Sequence, residues 1–319
     1  MSKNTHALDI VILSKEYAAY KAALETYTEP TFTITQATDD PLQIDHDKVR
    51  VMLADPGLAA SIVDKCDNLQ WIQSGWAGNT PLIKQNKRNY VLSGVKGVFG
   101  RQMREYVFAY LLYFARNIQA FYTAQKNEGF NKWNKPEYGY LAGKTLGICG
   151  AGSIAQSLLP VADIFNMRVI GLTRSGEAMT GYDKIYTPDQ KATFAADCDF
   201  LVNLLPDTPD THNFFDKSLF QAMSKDSVLI NAGRGSAIEE QALTEALNND
   251  NLRAAVLDVF RQEPLPDHHP FWHHDKIIVT QHTAAESDPK DIAALFHHNA
   301  QRFIHNKSPE HVIDFDKGY

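Results

Sequence analysis

The sequence predicts an α/β protein of two domains, each organised around a parallel β-sheet. Three observations carry that expectation. Short apolar runs alternate with helix-like stretches along most of the 319 residues, the pattern of chains that return through a helix before laying down each parallel strand. The alternation occurs once before a long helical stretch at 101–119 and once after it. A glycine-rich turn joins the first strand and first helix of the second series, where such sheets place their phosphate-binding loops.

In the first series, residues 10–13, 32–35, 49–54, 69–73 and 90–92 read as strands, with helices at 15–27 and 58–66. The 101–119 stretch repeats Tyr106, Val107, Tyr110, Leu111 and Phe114 at helical spacing, which suits a buried connecting helix. The second series offers strands at 145–149, 168–173, 200–205, 228–231, 254–258 and 277–280, with a helix at 154–165 and others between. The C-terminal residues read as helical and are expected to return to the first domain. The boundaries are then 1–100 with 286–319 for one domain and 101–285 for the other, with a cleft between them where a ligand binds.

Apolar residues make up 44% and charged residues 22% of the chain, ordinary values for a globular protein. A net charge of −7 argues against a nucleic-acid partner, which needs a basic surface to neutralise phosphates. A small anionic substrate remains compatible, because one local cation can hold a carboxylate whatever the global charge. No apolar run approaches the roughly 20 residues that span a bilayer, so no membrane partner is expected. The N-terminus lacks the basic start, apolar core and cleavage site of a signal peptide. Cys66, Cys149 and Cys198 are far apart and odd in number, which reads as free thiols in a reducing compartment and hence the cytoplasm.

The glycine-rich turn reads G-x-G-x-x-A at Gly150, Gly152 and Ala155. Gly150 allows the tight turn, Gly152 lets the backbone approach a pyrophosphate, and Ala155 keeps the helix close to the sheet. The helix start at Ser153 and Ile154 offers free N–H groups to the phosphates. The turn follows a strand, opens a helix and precedes a second strand, the context a dinucleotide site requires. At the end of that second strand an NAD-binding chain usually carries an acidic residue for the adenosine 2′-hydroxyl. Here the chain has Thr173, Arg174 and Ser175, with no carboxylate to repel a 2′-phosphate and a guanidinium to pair with one. NADP(H) is therefore favoured over NAD(H).

Three further residues lie at or just past strand ends: Arg234, Glu263 and His282. Ligands of open α/β sheets bind beyond the carboxyl ends of the strands, so the three are placed to face one crevice. Reducing a 2-keto acid needs a cation for the carboxylate, a proton for the developing alkoxide, and a hydride. Arg234 suits the first task, since guanidinium is planar, permanently charged and able to make two parallel bonds. His282 can deliver a proton near neutral pH. Glu263 beside that imidazole would favour its charged form and fix its orientation.

With these residues in place, the chain resembles the D-isomer-specific 2-hydroxyacid dehydrogenase family, and within it the glyoxylate/hydroxypyruvate reductase branch. The likeness is carried by residues 146–155, 204–211, 230–246, 257–266 and 280–285, and it spans nearly the whole chain. It implies a flavodoxin-like substrate domain, a Rossmann-like dinucleotide domain, and reduction of a small 2-keto acid to the D-2-hydroxy acid. It gives Arg234, Glu263 and His282 the roles argued above. It places Asp258 near the nicotinamide carboxamide, and Leu205, Pro206 and Ala232 along the cofactor. In Ser74-Gly-Trp76-Ala77-Gly78 it implies a loop whose amides hold the substrate carboxylate, with Trp76 capping a small pocket. It also implies a homodimer, for which the aromatic stretch 121–133 is a plausible arm.

Two positions depart from the family pattern: Gln281 stands where proline usually precedes the histidine, and Thr80 stands in an acidic place of the first loop. Both bear on pocket shape and so on the exact substrate. Rival readings are a related dehydrogenase acting on another 2-hydroxy acid, and a binding protein that senses the cofactor. His268, His269, His273 and His274 cluster around Pro270 but read as a solvated loop, and no metal is expected.

Overall fold

Most of the apolar runs become strands of two all-parallel sheets. The computed structural model describes residues 7–126, 133 and 135–318. Contacts gather the chain into two units: one runs up to Val98 and resumes at Ser287, and the other is Phe99–Glu286.

The first unit is laid down as β1 (Leu8–Leu13), α1 (Tyr17–Leu24), β2 (Phe32–Thr38), β3 (Val51–Ala54), α2 (Pro56–Ala60), β4 (Trp71–Ser74), α3 (Thr80–Ile83) and β5 (Val91–Ser93). Its sheet order is β2-β1-β3-β4-β5, the flavodoxin-like order for a doubly wound sheet. β3 and β4 are buried at every position, as strands covered on both faces must be. The expected helix at 58–66 is shorter: α2 ends at Ala60, and Val63–Lys65 forms a separate 3-10 turn.

The second unit opens with α4 (Gly100–Ala115) and α5 (Ile118–Lys126). The sequence suggested one helix across this stretch, but Asn117 takes a φ of 52° and breaks it. Asparagine tolerates that left-handed geometry better than most residues. Then follow β6 (Thr145–Cys149), α6 (Ser153–Ile164), β7 (Arg168–Leu172), β8 (Lys184–Tyr186), α7 (Lys191–Ala196), β9 (Phe200–Asn203), α8 (Lys217–Ala222), β10 (Val228–Asn231), α9 (Glu240–Asn248), β11 (Ala254–Leu257) and β12 (Ile277–Val279). The order is β12-β11-β10-β9-β6-β7-β8. Strand order reverses at β6, with β7 and β8 added on one side and β9 to β12 on the other, so the crevice of a Rossmann-like sheet opens where β6 and β9 meet. The three-residue β8 was not foreseen. Part of the aromatic stretch expected as a dimer arm, 127–132, lies outside the described residues.

The chain returns to the first unit as α10 (Pro289–Ile304). Asp288 caps it by accepting from the Lys290 amide at 2.8 Å, and Pro289 suits the first helical position. Ile292, Ala293, Phe296, Asn299 and Ala300 form its buried stripe, spaced as a helix face requires. Phe296 stacks on Trp71 of β4 with ring centroids 5.0 Å apart. Among the described residues no helix is long and apolar enough to cross a membrane.

Asn299 is the polar member of that stripe and is fully buried. Its Nδ2 donates to Gln73 Oε1 at 2.9 Å, and its Oδ1 accepts from the Glu310 amide at 2.7 Å. Asn299→Ala leaves the buried Gln73 carbonyl oxygen and the part-buried Glu310 amide without these partners, and the expected loss is about 1–3 kcal/mol, read as an earlier urea midpoint. An unchanged midpoint would show that α10 docks by apolar packing alone.

Candidate active site

The carboxyl edge of the seven-stranded sheet collects most of the residues singled out above. At the end of β6, Gly150 has a φ of +93°, and a Cβ there would lie 3.0 Å from the Leu204 carbonyl oxygen. Only glycine fits both demands. Gly152 precedes α6 in an extended conformation, and no side chain caps the helix. The first-turn amides at Ser153 and Ile154 are therefore open to an anion. The space where a Gly152 Cβ would project is empty of protein atoms, whereas Ala155 is fully buried. One strand over, Arg174 and Ser175 are exposed beyond β7. Arg174 has no ion-pair partner among the described residues. An open cradle, an uncapped helix start and an unengaged cation fit a dinucleotide that carries a 2′-phosphate.

β9 and β10 end in Asn203 and Asn231, both fully buried. Asn203 Nδ2 donates to Asn231 Oδ1 at 2.8 Å, while Asn203 Oδ1 accepts from the Leu205 amide at 3.0 Å. Asn231 Oδ1 also accepts from the Gly233 amide at 3.3 Å, and its Nδ2 donates to the Arg234 carbonyl at 3.2 Å. This pair shapes the loops that present Leu205, Pro206, Ala232 and Arg234. It was missed at the sequence level, although an amide closing an otherwise apolar strand run was a signal. Ala232 packs with Met103, Ala284 and Ile154 in a small apolar cluster, which links the dinucleotide loop to the segment after β12.

Arg234 is half-buried and donates to the Gly233 carbonyl at 2.7 Å. Burial lowers its pKa, and the charges of Asp207 and Glu263 oppose that loss. The next residue, Gly235, sits so close to the following loop that a Cβ would fall 2.0 Å from the Phe260 carbonyl carbon. Phe260 in turn donates its amide to Glu263 Oε1 at 2.9 Å. Arg261 ties the same loop back with a 3.0 Å bond from Nε to the Ile238 carbonyl. Close backbone packing and the Arg261 side chain thus couple the loop of Arg234 to the loop of Glu263.

Glu263 Oε2 lies 2.7 Å from His282 Nδ1. The imidazole's pKa is raised, first by that hydrogen bond, against desolvation, with the charges of Glu263 and Asp258 adding to it and Arg234 opposing. Burial pushes the Glu263 carboxyl up, but the bonds from His282 and the Phe260 amide outweigh it and the net shift is downward. Among the described residues His282 Nε2 has no hydrogen-bond partner, so it is the ring nitrogen available to a ligand.

Asp258 directly follows β11. It is 1% exposed. Its carboxylate accepts from Thr280 Oγ1 at 2.5 Å, the Thr283 amide at 2.8 Å and the Ala284 amide at 3.1 Å. Its carbonyl accepts from the His282 amide at 2.8 Å. The side chain is engaged with the turn that carries the imidazole.

The structure brings Arg234, Glu263 and His282 together, whereas Trp76, Ala77 and Gly78 belong to the first unit. There Ser74 Oγ and Asn79 Nδ2 donate to the Trp76 carbonyl at 2.8 Å and 3.4 Å, and Asn79 Nδ2 also reaches the Ala77 carbonyl at 3.3 Å. Among the described residues the Ala77 and Gly78 amides have no acceptor. Trp76 is 51% exposed, with its indole N–H held by Asp55 Oδ1 at 2.8 Å. Of the histidine cluster, His269 pairs with Glu240 at 3.5 Å, and His274 Nδ1 accepts from the Lys276 amide at 3.2 Å. No group of three or more candidate ligands is placed to hold a metal among the described residues.

Comparison with known proteins bears on this geometry. Residues 108–284 match the D-isomer specific 2-hydroxyacid dehydrogenase, NAD binding domain. Glyoxylate/hydroxypyruvate reductase A of Serratia proteamaculans is 32% identical over 219 residues, 69% of each chain. A crystal structure of a D-isomer specific 2-hydroxyacid dehydrogenase family protein from Aeromonas salmonicida superposes with a TM-score of 0.89 at 35% identity, covering 98% of this chain and 100% of that one. The NADPH-dependent glyoxylate/hydroxypyruvate reductase of Sinorhizobium meliloti, solved with NADP and sulfate, superposes with a TM-score of 0.84 at 28% identity over the same shares.

Because a Gly152 Cβ meets no protein atom, Gly152→Ala is expected to leave thermal unfolding unchanged. The added methyl stands where a pyrophosphate would approach, so NADPH affinity should fall by about tenfold or more, equivalent to roughly 1.4 kcal/mol. Unimpaired binding in a fluorescence titration would move the phosphates elsewhere.

Proposed function

The chain belongs to the D-isomer specific 2-hydroxyacid dehydrogenase family, and from that premise we propose that it reduces a small 2-keto acid, of the glyoxylate or hydroxypyruvate type, to the D-2-hydroxy acid with NADPH. The observation that carries this reading is the 2.7 Å contact between Glu263 and His282 Nδ1, with the charge of Arg234 acting on both residues.

When bound along Gly150, Gly152, Ser153, Ile154, Arg174 and Ser175, the cofactor supplies the hydride that becomes the C2 hydrogen of the product. Arg234 grips the substrate carboxylate, keeping its charge despite partial burial because guanidinium does not deprotonate in proteins. His282 turns Nδ1 to Glu263, so the proton leaves from Nε2 to the carbonyl oxygen as it becomes a hydroxyl. The two cationic side chains offset negative charge where it develops. The ring is then recharged from solvent, to which its side chain is half exposed. The Ala77 and Gly78 amides and the exposed Trp76 ring are proposed as further substrate contacts. A homodimer is supported by the exposure of Phe121, Tyr122 and Trp133, at 41%, 52% and 95%.

Turnover of glyoxylate, hydroxypyruvate and pyruvate with NADPH and NADH tests the reading. Wild-type protein is expected to favour NADPH, and Arg174→Asp to reverse that preference. No turnover on any of the three acids would sink the assignment.

The pH dependence has a definite sign. A raised imidazole pKa keeps the proton-donating form populated below that pKa, and reduction is lost as pH rises through it. Glu263→Gln removes the carboxylate that raises it, so the alkaline limb of kcat/KM for reduction should move to lower pH by about one unit or more. A limb that stays in place would assign the titration to another group.

A further inference from the structure

His282 takes a φ of +58°, a left-handed geometry that residues with a side chain adopt only where their surroundings impose it. The preceding residue, Gln281, supplies no ring to restrain the backbone, so the restraint comes from the hydrogen bonds and packing around the turn. The Thr283 and Ala284 amides hold the far side of the turn on Asp258. On the near side the Thr280 amide donates to the Leu257 carbonyl at 2.9 Å and the His282 amide to the Asp258 carbonyl at 2.8 Å, and side chains add a second tie: Thr280 Oγ1 meets Asp258 Oδ1 at 2.5 Å, and Tyr106 Oη lies 2.8 Å from Thr280 Oγ1.

The direction of this chain of hydroxyls follows from its end. A carboxylate that already receives two backbone N–H groups acts as acceptor, so the Thr280 hydroxyl spends its only hydrogen on Asp258. The Tyr106 hydroxyl must then donate to Thr280. Burial pushes the Tyr106 phenol well above its ordinary pKa, so the donor keeps its proton throughout the range in which the imidazole titrates. Tyr106 sits on α4, which also contributes Met103 to the apolar cluster with Ala284. Helix α4 therefore touches both sides of the His282 turn, by packing on one and by hydroxyls on the other.

We propose that Thr280 and Tyr106 are positioning residues for the proton donor: their hydroxyl chain holds the turn so that His282 Nδ1 stays on Glu263. The role of His282 in this statement rests on the function proposed above, but the placement of its ring does not. The charged groups facing the imidazole are Glu263, Asp258 and Arg234, and all three remain when either hydroxyl is replaced. Thr280→Val takes one hydrogen bond from Asp258, which leaves its negative charge less neutralised and would raise the imidazole pKa, so a fall in the titration of His282 would report movement of the ring away from Glu263.

The experiment uses the full chain with isotopically labelled histidine, the His282 signal being assigned by its absence in His282→Gln. In Thr280→Val the midpoint of His282 should fall by about half a unit or more towards the ordinary histidine value. In the same variant kcat for reduction should fall about 10- to 100-fold, with KM and NADPH affinity within about twofold of wild type. Tyr106→Phe should shift both readouts in the same direction by less, and Thr280→Ser, which keeps the hydroxyl, should restore them. Wild-type midpoints in the Thr280→Val and Tyr106→Phe variants would overturn the proposal. So would a serine variant as impaired as valine, since shape rather than the hydroxyl would then be at work. Should the wild type reduce no keto acid while the midpoints still shift, the assigned reaction fails and the positioning role stands.

Discussion

Strands β9, β10 and β11 lead into buried polar side chains, Asn203, Asn231 and Asp258, and satisfying them shapes the carboxyl edge of the larger sheet. A buried polar group left unpaired costs about 1–3 kcal/mol. The partners at hand beyond a strand end are the backbone groups of the loop that follows or of its neighbour. Asn203 takes the Leu205 amide, Asn231 takes the Gly233 amide and the Arg234 carbonyl, and Asp258 takes the amides of Thr283 and Ala284. Each loop is thereby pulled back onto the strands instead of running free into solvent. The same requirement, met three times on adjacent strands, fixes where Leu205, Arg234 and His282 stand.

The charges at that edge then balance each other. Burial works against the Arg234 guanidinium, and Asp207 and Glu263 counter it. Arg234 in turn disfavours a proton on His282, and Glu263 overrides that through a direct bond to the ring. Among the described residues Glu263 is thus the carboxylate that supports both cations. Its own position depends on the Phe260 amide, and Phe260 lies against a backbone that only glycine at 235 allows so near. Loss of that close approach would disturb the electrostatics of residues it never touches.

Much of this was legible in the sequence because it depends on strong, local signals. The strands at 145–149 and 228–231 were placed to the residue, since each is an apolar run whose boundaries are marked by polar neighbours or glycine. Gly150 and Gly152 were found because the context of strand, turn and helix is written in consecutive residues. The break at Asn117 was not, because the apolar period of α4 continues into α5 and one asparagine is a weak signal against it. β8 was missed for a similar reason: three residues are too few to show a period. The tasks of Asn203, Asn231 and Asp258 were hard to read, since most of their partners are backbone atoms and a sequence does not say where a backbone turns.

Asp258 and Glu263 show how environment separates two carboxylates that are near one another in the chain and both act on His282. Asp258 is buried and bound to the N–H groups and hydroxyl of the turn, and these bonds are the same whether the imidazole is charged or neutral. Its influence on the ring is a fixed field. Glu263 is more open and bonds the ring itself, and that bond is stronger when the ring carries its proton. Under the proposed reduction its energy therefore changes during proton transfer, and only such changing interactions tune the step. Too strong a hold would keep the proton on the ring, while too weak a hold would leave little of the ring charged at neutral pH. General acid catalysis works best between those limits. Under that proposal, the half-exposed setting of the pair, with Arg234 pulling the other way, is the physical means of staying there.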